Sequence, residues 1–156
     1  MKLTQLFEVT PHGGDIFVGD GHPYPWGGLY GGHIVTQALN AASQTVEGDF
    51  LPHSLRAYFI RRGDNTETVR YEVDRIRNGR SFVTRRVVAR QANGAILNLE
   101  ASYQAPEDSP EVTVVAMPSN IPLPDSLPAA DTWSEYFEQR DIPMDFVSSD
   151  GRDGAG

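Results

Sequence analysis

At 156 residues, with a net charge of −8 and no cysteine, the chain has the length of one domain plus an appendage. Disulfides, thiolate metal sites and a cysteine nucleophile are excluded. Residues 1–106 hold 11 basic and 10 acidic side chains, about +1, whereas residues 107–156 hold 2 and 11, or −9, so the front part lacks the basic surplus of a nucleic-acid binder.

The N-terminus, "MKLTQLFEVTPHGG", lacks the apolar core of a signal peptide. No apolar run approaches the ~20 residues that span a bilayer, and a cytoplasmic location is expected. A strand is expected at "DIFVG", followed by the loop "GDGHPYPWGGLYGG" over residues 19–32. Its Tyr24, Trp26 and Tyr30 suit either the wall of an apolar channel or a cap on the end of a sheet. His12, His22 and His33 have no metal-ligand spacing and no carboxylate cluster beside them, so neither a metal nor another cofactor is expected.

The stretch "LYGGHIVTQALNAASQTV" predicts the one good helix of the front part. Ile34, Val35, Ala38, Leu39, Ala42 and Val46 form an apolar stripe, while Thr36, Gln37, Asn40, Ser43 and Gln44 are polar without charge. A surface helix carries charge on its outer side, so this one is expected to be wrapped by a sheet and covered again by a neighbouring repeat. Gly31 and Gly32 would let a carbonyl approach the amides of the helix start, or would only let the helix pack closely. His33, in the first turn, is disfavoured as an imidazolium there, which suits a neutral base but equally a packing residue.

Strand patterns follow at "SLRAYFIRR", "VRYEVDRIR", "SFVTRRVVARQ" and "AILNLEASYQA". The last three, joined at Asn78-Gly79 and Asn93-Gly94, read as an antiparallel meander with tight turns. Arg61, Arg62, Arg85 and Arg86 can meet phosphate oxygens, or line a solvated outer face, which the pattern favours. Asp20 and Asp64 sit beside glycines where turn chemistry explains them. One helix cradled by one antiparallel sheet gives an α+β class of hotdog type over residues 1–106. Residues 107–130 are proline-rich and read as a linker; residues 131–156 offer a short helix at "DTWSEYFEQR" and a disordered tail.

"GGHIVTQAL", "HSLRAYFIRRGD", "RNGRSFVTRRVVARQ" and "ASYQAPE", in this order, together resemble the N-terminal hotdog repeat of the acyl-CoA thioesterase II family. "MPSNIPLPDSLP" is similar to that family's inter-repeat linker. Two positions depart from the pattern: His33 stands where glutamine is usual, and Arg62 where proline is usual. The resemblance implies hydrolysis of acyl-CoA to a free acid and coenzyme A by a general-base aspartate with a hydroxyl residue and a glutamine. Those three belong to the family's second repeat. In this chain Ser54, Ser81 and Ser102 fall near their places, and the half-site looks degenerate. Gly32, His33 and these serines are the catalytic candidates; Gly31, Tyr24, Trp26, Tyr30 and the four arginines are the substrate-binding ones. A non-catalytic half that binds acyl groups or supports an active partner is the alternative, and a hydratase of the same fold a weaker one. The expected partners are acyl-CoA and a second hotdog repeat, in a homodimer or in another chain, because an uncovered edge strand invites association.

Overall fold

The computed structural model describes residues 3–115 and 121–144, which divide into two units, 1–108 and 109–156. In the first unit a 3-10 turn, Leu3–Phe7, precedes β1 (Thr10–Gly13), β2 (Ile16–Gly19), α1 (Gly31–Ser43), β3 (Leu51–Phe59), β4 (Val69–Asn78), β5 (Phe82–Gln91) and β6 (Gly94–Gln104). The six strands form one sheet in the order β1-β2-β4-β5-β6-β3, antiparallel throughout. Helix α1 packs on one face of it, the hotdog arrangement.

Period-two alternation builds the core. Val69, Tyr71 and Val73 of β4, Val83, Val87 and Ala89 of β5, and Leu97, Leu99, Ala101 and Tyr103 of β6 point inward and are buried against Ile34, Ala38, Ala41 and Ala42 of α1. On the outer face Glu72 meets Arg70 at 3.4 Å and Arg90 at 3.1 Å, and Asp74 meets Arg86 at 2.5 Å. That face is a charge ladder suited to water.

The meander over residues 69–104 is as expected, but its turns differ. Gln91 pairs with Gly94, so Ala92 and Asn93 form the second turn, and Gly94, at φ +106°, already belongs to β6. The left-handed run lies elsewhere: Gly13, Gly14 and Asp15 have φ of 81°, 60° and 58° and fold β1, which the sequence did not suggest, onto β2.

Part of the uncharged face of helix α1 is covered by the chain's own N-terminal segment. The side-chain amides of Gln37, Asn40 and Gln44 donate to the carbonyls of Leu6, Phe7 and Val9 at 2.9, 2.7 and 3.2 Å. Three amides on one helix face thus satisfy three backbone acceptors of one short segment, which charged side chains would do only at a desolvation cost.

In the second unit, residues 131–140 form bends and an isolated bridge, Ala130 with Gln139, instead of the expected helix. The Thr132 and Ser134 hydroxyls accept the amides of Ser134 and Tyr136 (3.3 and 3.0 Å), local bonds that compete with helical ones. The expected tail, "SSDGRDGAG", lies outside the described residues.

Candidate functional site

Helix α1 starts without a side-chain cap, so the amides of Gly31, Gly32 and His33 have no acceptor within the helix. Beside this start lies a cleft of about 360 Å³. Leu29, Gly31 and Ile34 line it, with Phe59, the last residue of β3, and Ile60, Arg61, Arg62 and Gly63 after it. The cleft combines apolar surface, a cationic rim and the positive end of a helix dipole. That combination suits an amphipathic ligand with an electron-rich carbonyl.

Both glycines also serve packing. A Cβ on Gly31 would lie 3.1 Å from the Phe59 ring, and one on Gly32 only 2.6 Å from the Tyr30 ring. The aromatic loop gathers over the same helix end. Tyr24 and Trp26 stack with centroids 5.2 Å apart, and Tyr30 contacts both, at 5.8 and 6.2 Å.

His33 is 1% exposed. Its Nδ1 meets the Tyr24 hydroxyl at 3.1 Å, while its buried Nε2 has no hydrogen-bond partner. Burial, the largest cause, holds its pKa below the usual histidine value, and His22 acts in the same direction. Among the described residues no carboxylate is bonded to it to make a catalytic pair. The sign of the pH effect follows. With the folded pKa depressed, protons bind the unfolded chain more readily, so stability is full above the unfolded value of about 6.5 and falls as pH drops below it. His33→Gln should remove this part of the acid loss. Melting curves of both proteins from pH 8 to 5 check it: as pH falls below about 6.5, wild type should lose more stability than the variant, at no more than about 1.4 kcal/mol per pH unit. Parallel pH profiles would rule out a buried neutral His33.

The serines stand elsewhere. Gly31 lies against Phe59 at the end of β3, whereas Ser43, at the other end of α1, bonds Tyr103 (2.9 Å), whose partner Pro52 is near the strand's start. Ser54 pairs with Ser102 at that far end, about 17 Å along the strand from Phe59. Both face away from the core, since Ala101 and Tyr103 on either side of Ser102 point inward. Ser81, whose carbonyl accepts the Ala105 amide at 3.0 Å, is at the same end. His53 contacts the Ser102 hydroxyl at 2.8 Å on this outward face. Within this chain, then, the serines do not converge with Gly32 and His33.

The arginines separate too. Arg86 is exposed on the outer face with Asp74. Arg85, expected there with it, points inward and is 1% exposed. Its five N–H groups donate to the Thr45 hydroxyl and carbonyl, the Arg77 and Thr84 carbonyls and the Asn78 side-chain oxygen, at 2.7, 3.0, 2.9, 3.0 and 2.7 Å. None is left for a phosphate. Arg61 and Arg62 sit beyond β3 at the cleft, where Arg61 donates to the Ala95 carbonyl at 2.7 Å and Arg62 to the Trp26 carbonyl. Asp64 accepts the Thr66 amide and hydroxyl, both at 2.7 Å, in turn chemistry as expected. Sequence reasoning missed Phe59, Ile60 and Gly63 as cleft residues; their position just before and within "IRRGD" was the available signal.

Residues 22–104 match the family model for the acyl-CoA thioesterase N-terminal domain, a match that takes in the aromatic loop as well as α1 and the four long strands. Acyl-coenzyme A thioesterase 8 of Homo sapiens is 38% identical over 135 residues, 86% of this chain and 42% of that protein. Acyl-CoA thioesterase 2 of Haemophilus influenzae is 38% identical over 106 residues, 68% and 37% of the two chains. The acyl-CoA thioesterase II TesB2 structure from Mycobacterium marinum superposes with a TM-score of 0.78 at 32% identity, covering 92% of this chain and 51% of that one. The chain thus spans about half or less of the length of each of these relatives. With an uncapped glycine helix start, the hotdog sheet and the family model agreeing over the same residues, the chain belongs to the acyl-CoA thioesterase N-terminal domain family.

Proposed function

We propose that this chain is the N-terminal half of an acyl-CoA thioesterase working in the cytoplasm. It offers the helix-start amides and the apolar cleft, while a second hotdog repeat supplies the general base. Water adds to the thioester carbonyl, the C–S bond breaks, and the products are a carboxylic acid and the coenzyme A thiol. The observation that carries the reading is the cleft itself: amides of Gly31 and Gly32 without helical acceptors, set beside Phe59, Ile34 and the Arg61–Arg62 rim. Donors fixed at a helix start stabilise the oxyanion of the tetrahedral intermediate without reorganising.

A supporting rather than self-sufficient half is favoured by what α1 lacks. Its 13 residues contain no carboxylate, and Ser54, Ser81 and Ser102 lie at the far end, Ser54 and Ser102 on the outward face. The partner's place is suggested by β3, the edge strand, whose inward Leu55 and Phe59 are 47% and 60% exposed. A paired repeat along this edge would cover both and extend the sheet.

The test assays free-thiol release from medium- and long-chain acyl-CoA by the purified chain, alone and mixed with the C-terminal hotdog half of a two-repeat relative, alongside its mass in solution. Binding of an alkyl-CoA thioether without turnover, and turnover on adding the second half, is the expected outcome. Turnover by the chain alone would overturn the supporting role and make His33 and Ser54 the first substitutions. No thioether binding and no turnover in either setting would sink the acyl-CoA reading.

A further inference from the structure

The loop over residues 22–30 and the segment after β3 approach each other at two points. The Leu29 amide donates to the Gly63 carbonyl at 3.0 Å, and the Arg62 guanidinium donates to the Trp26 carbonyl. The Arg62 side chain also fills the space over Gly28: a Cβ there would stand 2.5 Å from Nε and 3.3 Å from Cγ. Gly27, at φ +69°, lies 3.6 Å from Nη2 by the same measure. Arg62 therefore rests on two glycines and holds the carbonyl of the residue before them. Of these residues Leu29, Arg62 and Gly63 themselves line the cleft, together with Gly31, Phe59 and Ile60. The same loop stacks Trp26 on Tyr24, which in turn contacts His33.

We propose that Arg62 is a positioning residue, a latch whose bond to Trp26 fixes the loop against the end of β3 and so sets the width of the cleft in which an acyl-CoA thioester meets the Gly31 and Gly32 amides. This rests on the acyl-CoA reading for its ligand and on the geometry alone for the latch. A charged guanidinium suits the role. It reaches a carbonyl with one arm of its fork while its aliphatic stem covers backbone. Because Arg62 is exposed and outside the core, its loss should free the loop without unfolding the sheet.

The experiment uses the whole chain in a Trp133→Phe background, which leaves Trp26 as the only tryptophan of the two. Acrylamide quenching of Trp26 reports the loop, and titration with an alkyl-CoA thioether, against free coenzyme A, reports the cleft. Arg62→Ala should raise the quenching and weaken thioether binding about fivefold, the scale of one net hydrogen bond. Arg62→Lys, which keeps a donor, should recover part of both, and the melting temperature should barely move. Unchanged quenching in Arg62→Ala would overturn the latch, as would freed quenching with unchanged thioether affinity. If wild type itself binds no thioether, the acyl-CoA reading fails, while the quenching arm still decides whether Arg62 holds the loop.

Discussion

Replacing Arg85 by alanine should destabilise the fold by about 3–5 kcal/mol, from several buried acceptors left unmet and the space its side chain vacates. The side chain is buried, and its five donors serve five acceptors drawn from the turn after α1 and from the β4–β5 hairpin. Burial holds its pKa below the usual arginine value, with Arg75 acting in the same direction and Tyr103, Asp15 and Glu47 opposing. Truncation would strand the Thr45 and Arg77 carbonyls and the Asn78 side chain, each unmet buried group costing roughly 1–3 kcal/mol, and would open a cavity besides. Arg85→Lys keeps the charge but has only three donors for five acceptors, so it should lie between wild type and alanine. Urea unfolding midpoints of the three proteins decide the matter. An alanine variant within 1 kcal/mol of wild type would remove the structural role and return Arg85 to the list of phosphate contacts.

That role was legible in the strand pattern, and adjacency hid it. Val83, Arg85, Val87 and Ala89 occupy one phase of β5, and Thr84, Arg86 and Val88 the other. Two neighbouring residues of a strand point to opposite faces, so Arg85 and Arg86 could never have shared an outer surface. The same period rule served the rest of the sheet well, because β4, β5 and β6 each bury one face only. It failed for β1, whose four exposed residues carry no alternation and are held by a left-handed turn at Gly13–Asp15.

The candidate site divides in a similar way. Gly31, Gly32, His33 and the aromatic loop are close in sequence, so their meeting at one helix end could be read from a cap-less helix start preceded by tyrosine and tryptophan. Phe59, Ile60 and Arg62 join them only through the register of β3 with β6 and the placing of α1 across the sheet, neither of which a local pattern carries. The serines illustrate the converse. They were grouped by the order of motifs, and the register groups them too, with Ser54 opposite Ser102, but at the end of the sheet remote from the helix start.

The uncharged helix face gives the last expected result. Gln37 is 2% exposed, accepts the Tyr71 hydroxyl at 2.7 Å, and donates to the carbonyls of Leu6 and Asp20 at 2.9 and 3.1 Å. Burial pushes the Tyr71 phenol well above its usual value, which keeps it a neutral donor. Gln37→Leu keeps the volume and strands the Tyr71 hydroxyl and the two carbonyls, for an expected loss of about 2–4 kcal/mol in urea unfolding. Tyr71→Phe should cost less alone, and little more once Gln37 is gone, leaving a coupling energy of about 1–2 kcal/mol in the double-mutant cycle. Strict additivity would mean that the two side chains do not act as a unit. The cycle bears on the site as well as on stability. The Asp20 carbonyl is where the aromatic loop begins, so Gln37 pins one end of the segment that His33 holds through Tyr24 and Arg62 holds through Trp26. A Gln37→Leu protein that is folded but shows the same rise in Trp26 quenching as Arg62→Ala would tie the amide face of α1 to the width of the cleft. Unchanged quenching would confine Gln37 to the core and leave the loop's position to the two contacts nearer its tip.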